Sequence, residues 1–168
     1  MPTLEILPDQ HAGTPRDWDN VGTMACWHRR YTLGDEQPGE DPDVWRDSLD
    51  RDDIVLPLYL YEHSGIAMNT TGYACPWDSG QVGWIYCSAA TGIEECGGIG
   101  QTANYLKCEV KTYSEYLEGS VYGFRLVDDG GEELDSCWGF YGYDPQTNGM
   151  ADHIAAEYQH LLDSPEYV

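Results

Sequence analysis

With 30 Asp and Glu against eight Lys and Arg, this 168-residue chain carries a formal net charge of -22 and a sequence pI of about 4.1. Such a surface is repelled by nucleic acid and by anionic lipid, which argues against direct binding to either. The length fits one domain, and 13 Tyr, six Trp and a 41% apolar fraction exclude a wholly disordered chain.

Residues 1–20 form a polar lead in which Leu4, Ile6 and Leu7 can supply a short edge strand. Met1 to Gln10 has no basic region or apolar stretch of the signal-peptide type, so a cytoplasmic location is expected. The segment VGTMACWHRRYTL, residues 21–33, reads as a strand ending at Gly34-Asp35. On that strand His28 and Arg30 share one face and Arg29 takes the other. Residues 34–53 carry Asp35, Glu36, Glu40, Asp41, Asp43, Asp47, Asp50, Asp52 and Asp53, with only Arg46 and Arg51 in compensation. Pro38, Gly39 and Pro42 predict a flexible acidic insertion, with one short helical turn at Val44, Trp45 and Leu49.

IVLPLYLY, residues 54–61, reads as a strand, and Pro57 places it at an edge or a bulge by removing one ladder donor. Residues 69–80 are turn-rich, 81–88 (QVGWIYCS) form a further strand, and the small, Gly-rich stretch 89–100 reads as a loop. From Thr102 to Gly119 a helix is predicted, because Leu106, Val110, Tyr113 and Leu117 recur at helical spacing. Val121–Val127 reads as a strand, and Asp128, Asp129, Glu132 and Glu133 surround a Gly130-Gly131 turn. Residues 135–143 read as an aromatic strand or turn. Met150 to Leu162 reads as a second helix, with Ile154, Tyr158, Leu161 and Leu162 on one face. The sum is an α+β fold: a single compact domain over residues 1–168, with a small antiparallel or mixed sheet and about two helices. The longest apolar runs are too short to span a bilayer as a helix.

Six cysteines at 26, 75, 87, 96, 108 and 137 form no CxxC pair, so free, mostly buried thiols are expected rather than a zinc site. SLDRDDIV lacks the residue order of an EF-hand loop, and no metal or cofactor is expected. His28, Arg30, His63, Cys75, Asp78 and Gln81 make a candidate polar site, in which the arginine fork suits a carboxylate or another anion. A catalytic version would use the Cys75–Gln81 loop with His28 or His63, as a small hydrolase or transferase. A strand-capping turn accounts for the same loop, because no nucleophile and base stand at a recognisable spacing. SCWGF, residues 136–140, is similar to the patch around the papain nucleophile, yet only His153 and His160 follow it.

Two readings compete for the acidity. An acidic surface can imitate duplex DNA, which presents one charge per about 1.7 Å of axis, and so enter a basic groove. On that reading the partner is a host protein with such a groove. Its contacts are Asp35, Glu36, Glu40, Asp41, Asp43, Asp47, Asp50, Asp52, Asp53, Asp128, Asp129, Glu132 and Glu133. The rival is halophilic adaptation, in keeping with Lys107 and Lys111 as the only lysines.

Three blocks carry a resemblance: WDNVGTMACWHRRYTLGD (18–35), LPLYLYEHSGIAMNTTGYACPWDSGQVGWIY (56–86), and EVKTYSEYLEGSVYGF with EELDSCWGFYG (109–124 and 132–142). They are similar to a family of uncharacterised small proteins encoded by bacteriophages and other mobile elements. The resemblance implies a mobile-element origin and action inside a bacterial host, and it carries over no catalytic residues. Mobile elements meet restriction and CRISPR nucleases there, so a non-enzymatic, DNA-mimic-like counter-defence inhibitor is the expected function.

Overall fold

Branched and aromatic residues fill Ile54–Glu62 (β3) and Ser79–Cys87 (β5), and these strands pair antiparallel at the centre of a sheet. All 168 residues are described in this computed structural model. The sheet runs β2-β5-β3-β4, with Thr23–Cys26 (β2) and Ile66–Asn69 (β4) at its edges. It belongs to a compact unit of residues 14–117, and residues 1–13 with 118–168 form another. β4 covers only Tyr59–Glu62, so Pro57 lies where β3 has a single neighbour, just before a bulge between Leu58 and Tyr59.

One face of this sheet buries Met24, Leu58, Leu60 and Ile85 with Leu106, Val110 and Tyr113 of the long helix Ile99–Glu118 (designated α3 below). The predicted stripe is the buried one, with Leu117 partly buried at its end. Each fully buried aliphatic side chain contributes about 1.5–3 kcal/mol, enough to hold the helix on the sheet. Between β5 and this helix lie a single turn, Ala89–Thr91 (α2), and a π-type turn at Gly92–Cys96, where a loop was expected.

The opposite face is aromatic. Pro42–Asp47 (α1) lays Trp45 onto it, stacked on Trp84 with centroids 5.9 Å apart and edge-on to Trp27 and Tyr86 at 5.4 and 5.3 Å. Asp41 caps α1 by accepting from the N–H groups of Asp43 and Val44, and Pro42 stands in the first turn. The acidic stretch therefore has more structure than its turn-rich sequence suggests. Trp45 is 7% exposed, and burying so large a ring offsets the repulsion among the carboxylates around it.

The strand expected over residues 21–33 keeps a regular ladder only over Thr23–Cys26, and the chain bends at Arg29 and Arg30. The His28 ring is the reason: Nδ1 accepts from the backbone N–H of Arg30 and of Tyr31, both at 3.1 Å. Those donors are thereby diverted from a ladder.

In the other unit Thr3–Pro8 (β1) pairs antiparallel with Val121–Val127 (β6) and parallel with Glu166–Tyr167 (β8), while Glu133–Tyr141 (β7) flanks β6. The order β7-β6-β1-β8 makes β1 an inner strand, not an edge. Leu4, Ile6, Phe124, Phe140, Met150, Ile154 and Leu162 form its core. The helix expected at 150–162 is replaced by two 3-10 turns, Met150–His153 and Gln159–Asp163, with Ile154 extended between them. The apolar spacing there reported burial correctly, because short turns can also deliver Ile154 and Leu162 to a core. The fold is α+β, with two four-stranded sheets where one small sheet was expected. No helix is long and apolar enough to cross a membrane.

All six thiols are free, but only Cys26 and Cys87 are buried, where most were expected to be. Burial, and then the charge of Asp35, push the Cys26 thiol up to about 12, against a moderating effect of Arg16. An unfolded chain ionises this thiol near its ordinary value of 9.0, while the folded chain keeps the proton. The native state then binds more protons than the unfolded one, so stability falls as pH rises from about 9 towards about 12. Denaturant midpoints across that window should drop, and Cys26→Ala should flatten the drop. Cys87, Tyr86 and Tyr113 are raised by burial too and leave a residual slope. A midpoint that stays level across the window in the unsubstituted protein would contradict this reading.

Candidate functional site

Three strands of the first sheet meet at one of its ends. β2 runs out at Cys26 into Trp27–Arg30, β3 ends at Glu62, and β5 begins at Ser79. The Glu62 N–H donates to the Asp78 carbonyl at 2.7 Å and fixes these ends together. Glu62 joins the groups: one carboxylate oxygen meets His28 Nε2 at 2.9 Å, and the other accepts from the Arg30 guanidinium. Because Nδ1 of His28 faces two backbone N–H groups, its ring proton sits on Nε2 and is donated to Glu62.

Beside this trio lies a hollow of about 350 Å³, lined by His28, Arg30, Glu62, Trp77, Asp78 and Gln81 among others. Asp78 Oδ2 receives the Cys75 thiol at 3.7 Å and faces His63 Nδ1 at 3.4 Å. The six residues named from sequence are thus gathered at one end of one sheet. Glu62, which ties two of them together, was missed. Its signal was its place as the last residue of β3, next to His63. A second hollow, of about 670 Å³, shares His28, Arg30, Gln81 and Val82 with the first and adds Trp27, Arg29 and Gln37. Arg29 reaches it because the bend at 29–30 cancels the strand alternation.

The chemistry of this end favours holding over reacting. Both His28 nitrogens are committed, so the ring has no free position from which to take a substrate proton. Cys75 bonds the Asp78 carboxylate, at 3.7 Å, rather than an imidazole. The SCWGF patch does meet a histidine, with Cys137 Sγ 3.9 Å from His153 Nδ1. That distance is at the outer limit of a sulfur hydrogen bond, and the sulfur also reaches the Trp138 carbonyl at 4.0 Å.

The acidic residues separate into two kinds. Asp35 is exposed as a residue, but its carboxylate is engaged: it takes Arg16 in a fork at 3.1 and 2.6 Å and the Met24 N–H at 2.7 Å, so Arg16 balances its charge. Asp128 caps its own turn, accepting from the N–H groups of Gly130 and Glu132. Glu36 accepts from Tyr86, whose phenol is pushed up by burial and then by the Glu36 charge. Glu36, Glu40, Asp41, Asp43, Asp47, Asp50 and Asp52 are all exposed and Asp53 is half-buried; in the other unit Asp129, Glu132 and Glu133 are exposed. Comparisons with protein-family models, with curated proteins and with solved structures find no match.

Proposed function

We propose that this protein is a non-enzymatic, DNA-mimic-like inhibitor. Its acidic surface occupies the basic groove of a nucleic-acid-handling protein, of restriction or CRISPR type, in the cytoplasm of a bacterial host. One observation carries the reading: the carboxylates of residues 36–52 ride on a segment anchored by Trp45, not on a free tail. A mimic needs its charges held in place before binding, since ordering them afterwards costs affinity. Four of the eight basic residues, Arg16, Arg30, Lys111 and Arg125, are each paired with a carboxylate outside residues 36–52, and only Arg46 and Arg51 lie within that stretch. The choice of target rests on the expected mobile-element origin and is part of the proposal.

The test is displacement of labelled duplex DNA from purified restriction and CRISPR nucleases. Converting Asp41, Asp43, Asp47, Asp50 and Asp52 to Asn should slow association by about 10- to 1000-fold at low salt, the range of electrostatic steering. Folding should hold, because Asn caps α1 as Asp does. Unchanged inhibition by a folded variant would refute the proposed surface. A parent protein that folds only in molar salt would favour halophilic adaptation instead. A folded Cys75→Ala protein that keeps its partner but loses all effect would make the protein an enzyme.

A further inference from the structure

The bend after β2 is built, not incidental. His28 Nε2 is anchored on Glu62 while Nδ1 holds the N–H groups of Arg30 and Tyr31, so one ring pins a loop to the end of β3. The product is a 670 Å³ hollow whose lining includes Arg29, Arg30, Trp27, Pro38 and Val82. Binding sites for small molecules commonly measure about 300–1,000 Å³ and combine apolar walls with a few convergent polar groups. Here Trp27 and Val82 offer the apolar wall, and Gln37 and Gln81 the amides. Gln37 donates its Nε2 to the Leu33 carbonyl at 2.6 Å, which fixes the amide beside the hollow.

Charge selects the ligand. Two of the eight basic residues of a chain with net charge -22 come together in this one hollow. Glu62 balances Arg30, so Arg29 brings the surplus positive charge. Carboxylates more than about 8 Å away oppose an anion only weakly at physiological salt, so the opposition comes from near ones such as Glu36 and Glu40, which flank Gln37 and Pro38. Arginine presents a planar fork that matches the oxygens of a carboxylate or a phosphate. We infer that this hollow binds a small organic anion, a carboxylate or phosphate group carried on an apolar or aromatic body.

This site adjoins the proposed acidic interface, because Gln37 and Pro38 lie between Glu36 and Glu40, but it is tested on the isolated protein, with no partner present. Phenyl phosphate, phenylacetate, inorganic phosphate and benzyl alcohol are titrated while backbone and indole N–H resonances are followed by NMR. The expected result is saturable shifts confined to Trp27–Tyr31, Gln37 and Gln81–Val82 with at least one of the two aryl anions. Whichever aryl anion binds more tightly identifies the headgroup. Inorganic phosphate should bind more weakly for want of the ring, and benzyl alcohol for want of the charge. Arg29→Gln should weaken the aryl anion about tenfold, the scale of one lost charge-assisted hydrogen bond. Arg29 is exposed, so this variant should keep the parent melting temperature. The inference falls if neither aryl anion gives saturable shifts there, if benzyl alcohol binds as well as they do, or if Arg29→Gln binds like the parent.

Discussion

Arg16→Met should cost about 3 kcal/mol of stability, the low end for removing one partner of a buried ion pair. The side chain of Arg16 is only 5% exposed, and it links three separate segments. It forks onto Asp35, reaches Glu109 Oε1 on the long helix at 3.0 Å, and donates to the Gly22 carbonyl at 2.7 Å. Glu109, 12% exposed, also accepts from the N–H groups of Val21 and Gly22, so losing the guanidinium strands a carboxylate among backbone donors. The low end applies because Asp35 is 24% exposed and water can reach it. Burial alone would lower the Arg16 pKa, but the hydrogen bonds and charges of Asp35 and Glu109 outweigh it and raise the value. The clasp therefore keeps its cation through any working pH. For a chain of this size the loss corresponds to a fall in Tm of about 10 °C. Arg16→Lys should recover only part of it, since an ammonium cannot fork onto two carboxylates at once. A denaturation curve placing Arg16→Met within about 0.5 kcal/mol of the parent, the range of ordinary surface changes, would show the clasp to be dispensable.

What could be read from the chain was what local pattern determines. The stripe Leu106, Val110, Tyr113 marked the buried face of the long helix, and the apolar runs at 54–61 and 81–88 marked the two inner strands of its sheet. The clustering of the polar candidates was legible too, because they sit just beyond strand ends, where neighbouring strands bring distant residues together. Three features were not legible, each because a distant or side-chain partner decides it. Strand β2 stops early because an imidazole takes two backbone donors, which no alternation of apolar residues records. The acidic segment is anchored because Trp45 finds Trp27, Trp84 and Tyr86, from a stretch whose prolines and charges signalled a loop. The second sheet arises because Thr3–Pro8 pairs with Val121–Val127 and Glu166–Tyr167, and such register is set across the whole chain.

Gly83→Ala should be the most damaging methyl group that can be added to the first sheet. An ideal Cβ at Gly83 would stand 1.9 Å from the Ala25 carbonyl oxygen and 2.9 Å from the carbonyl carbon of Ala25 and the Cα of Cys26. Those are backbone atoms of the paired strand, so no side chain can swing aside, and β2 must move off β5. The expected cost is about 3 kcal/mol or more, the scale reserved for forced overpacking. Gly80 is the internal control: it lies on the same strand, with nothing within 4 Å of an added Cβ, and Gly80→Ala should be close to neutral. The consequence reaches the hollow, because Trp27 N–H is held by the Val82 carbonyl at 2.7 Å, immediately beside Gly83. Moving β2 therefore shifts Trp27 against Trp45 and Trp84, where near-ultraviolet circular dichroism reports the ring geometry, and carries the Arg29-Arg30 bend with it. Gly83→Ala should thus lose both stability and anion binding, whereas Arg29→Gln loses binding alone. Equal denaturation midpoints for Gly83→Ala and Gly80→Ala would mean that β2 does not approach β5 this closely, and the bend that builds the hollow would lose its foundation.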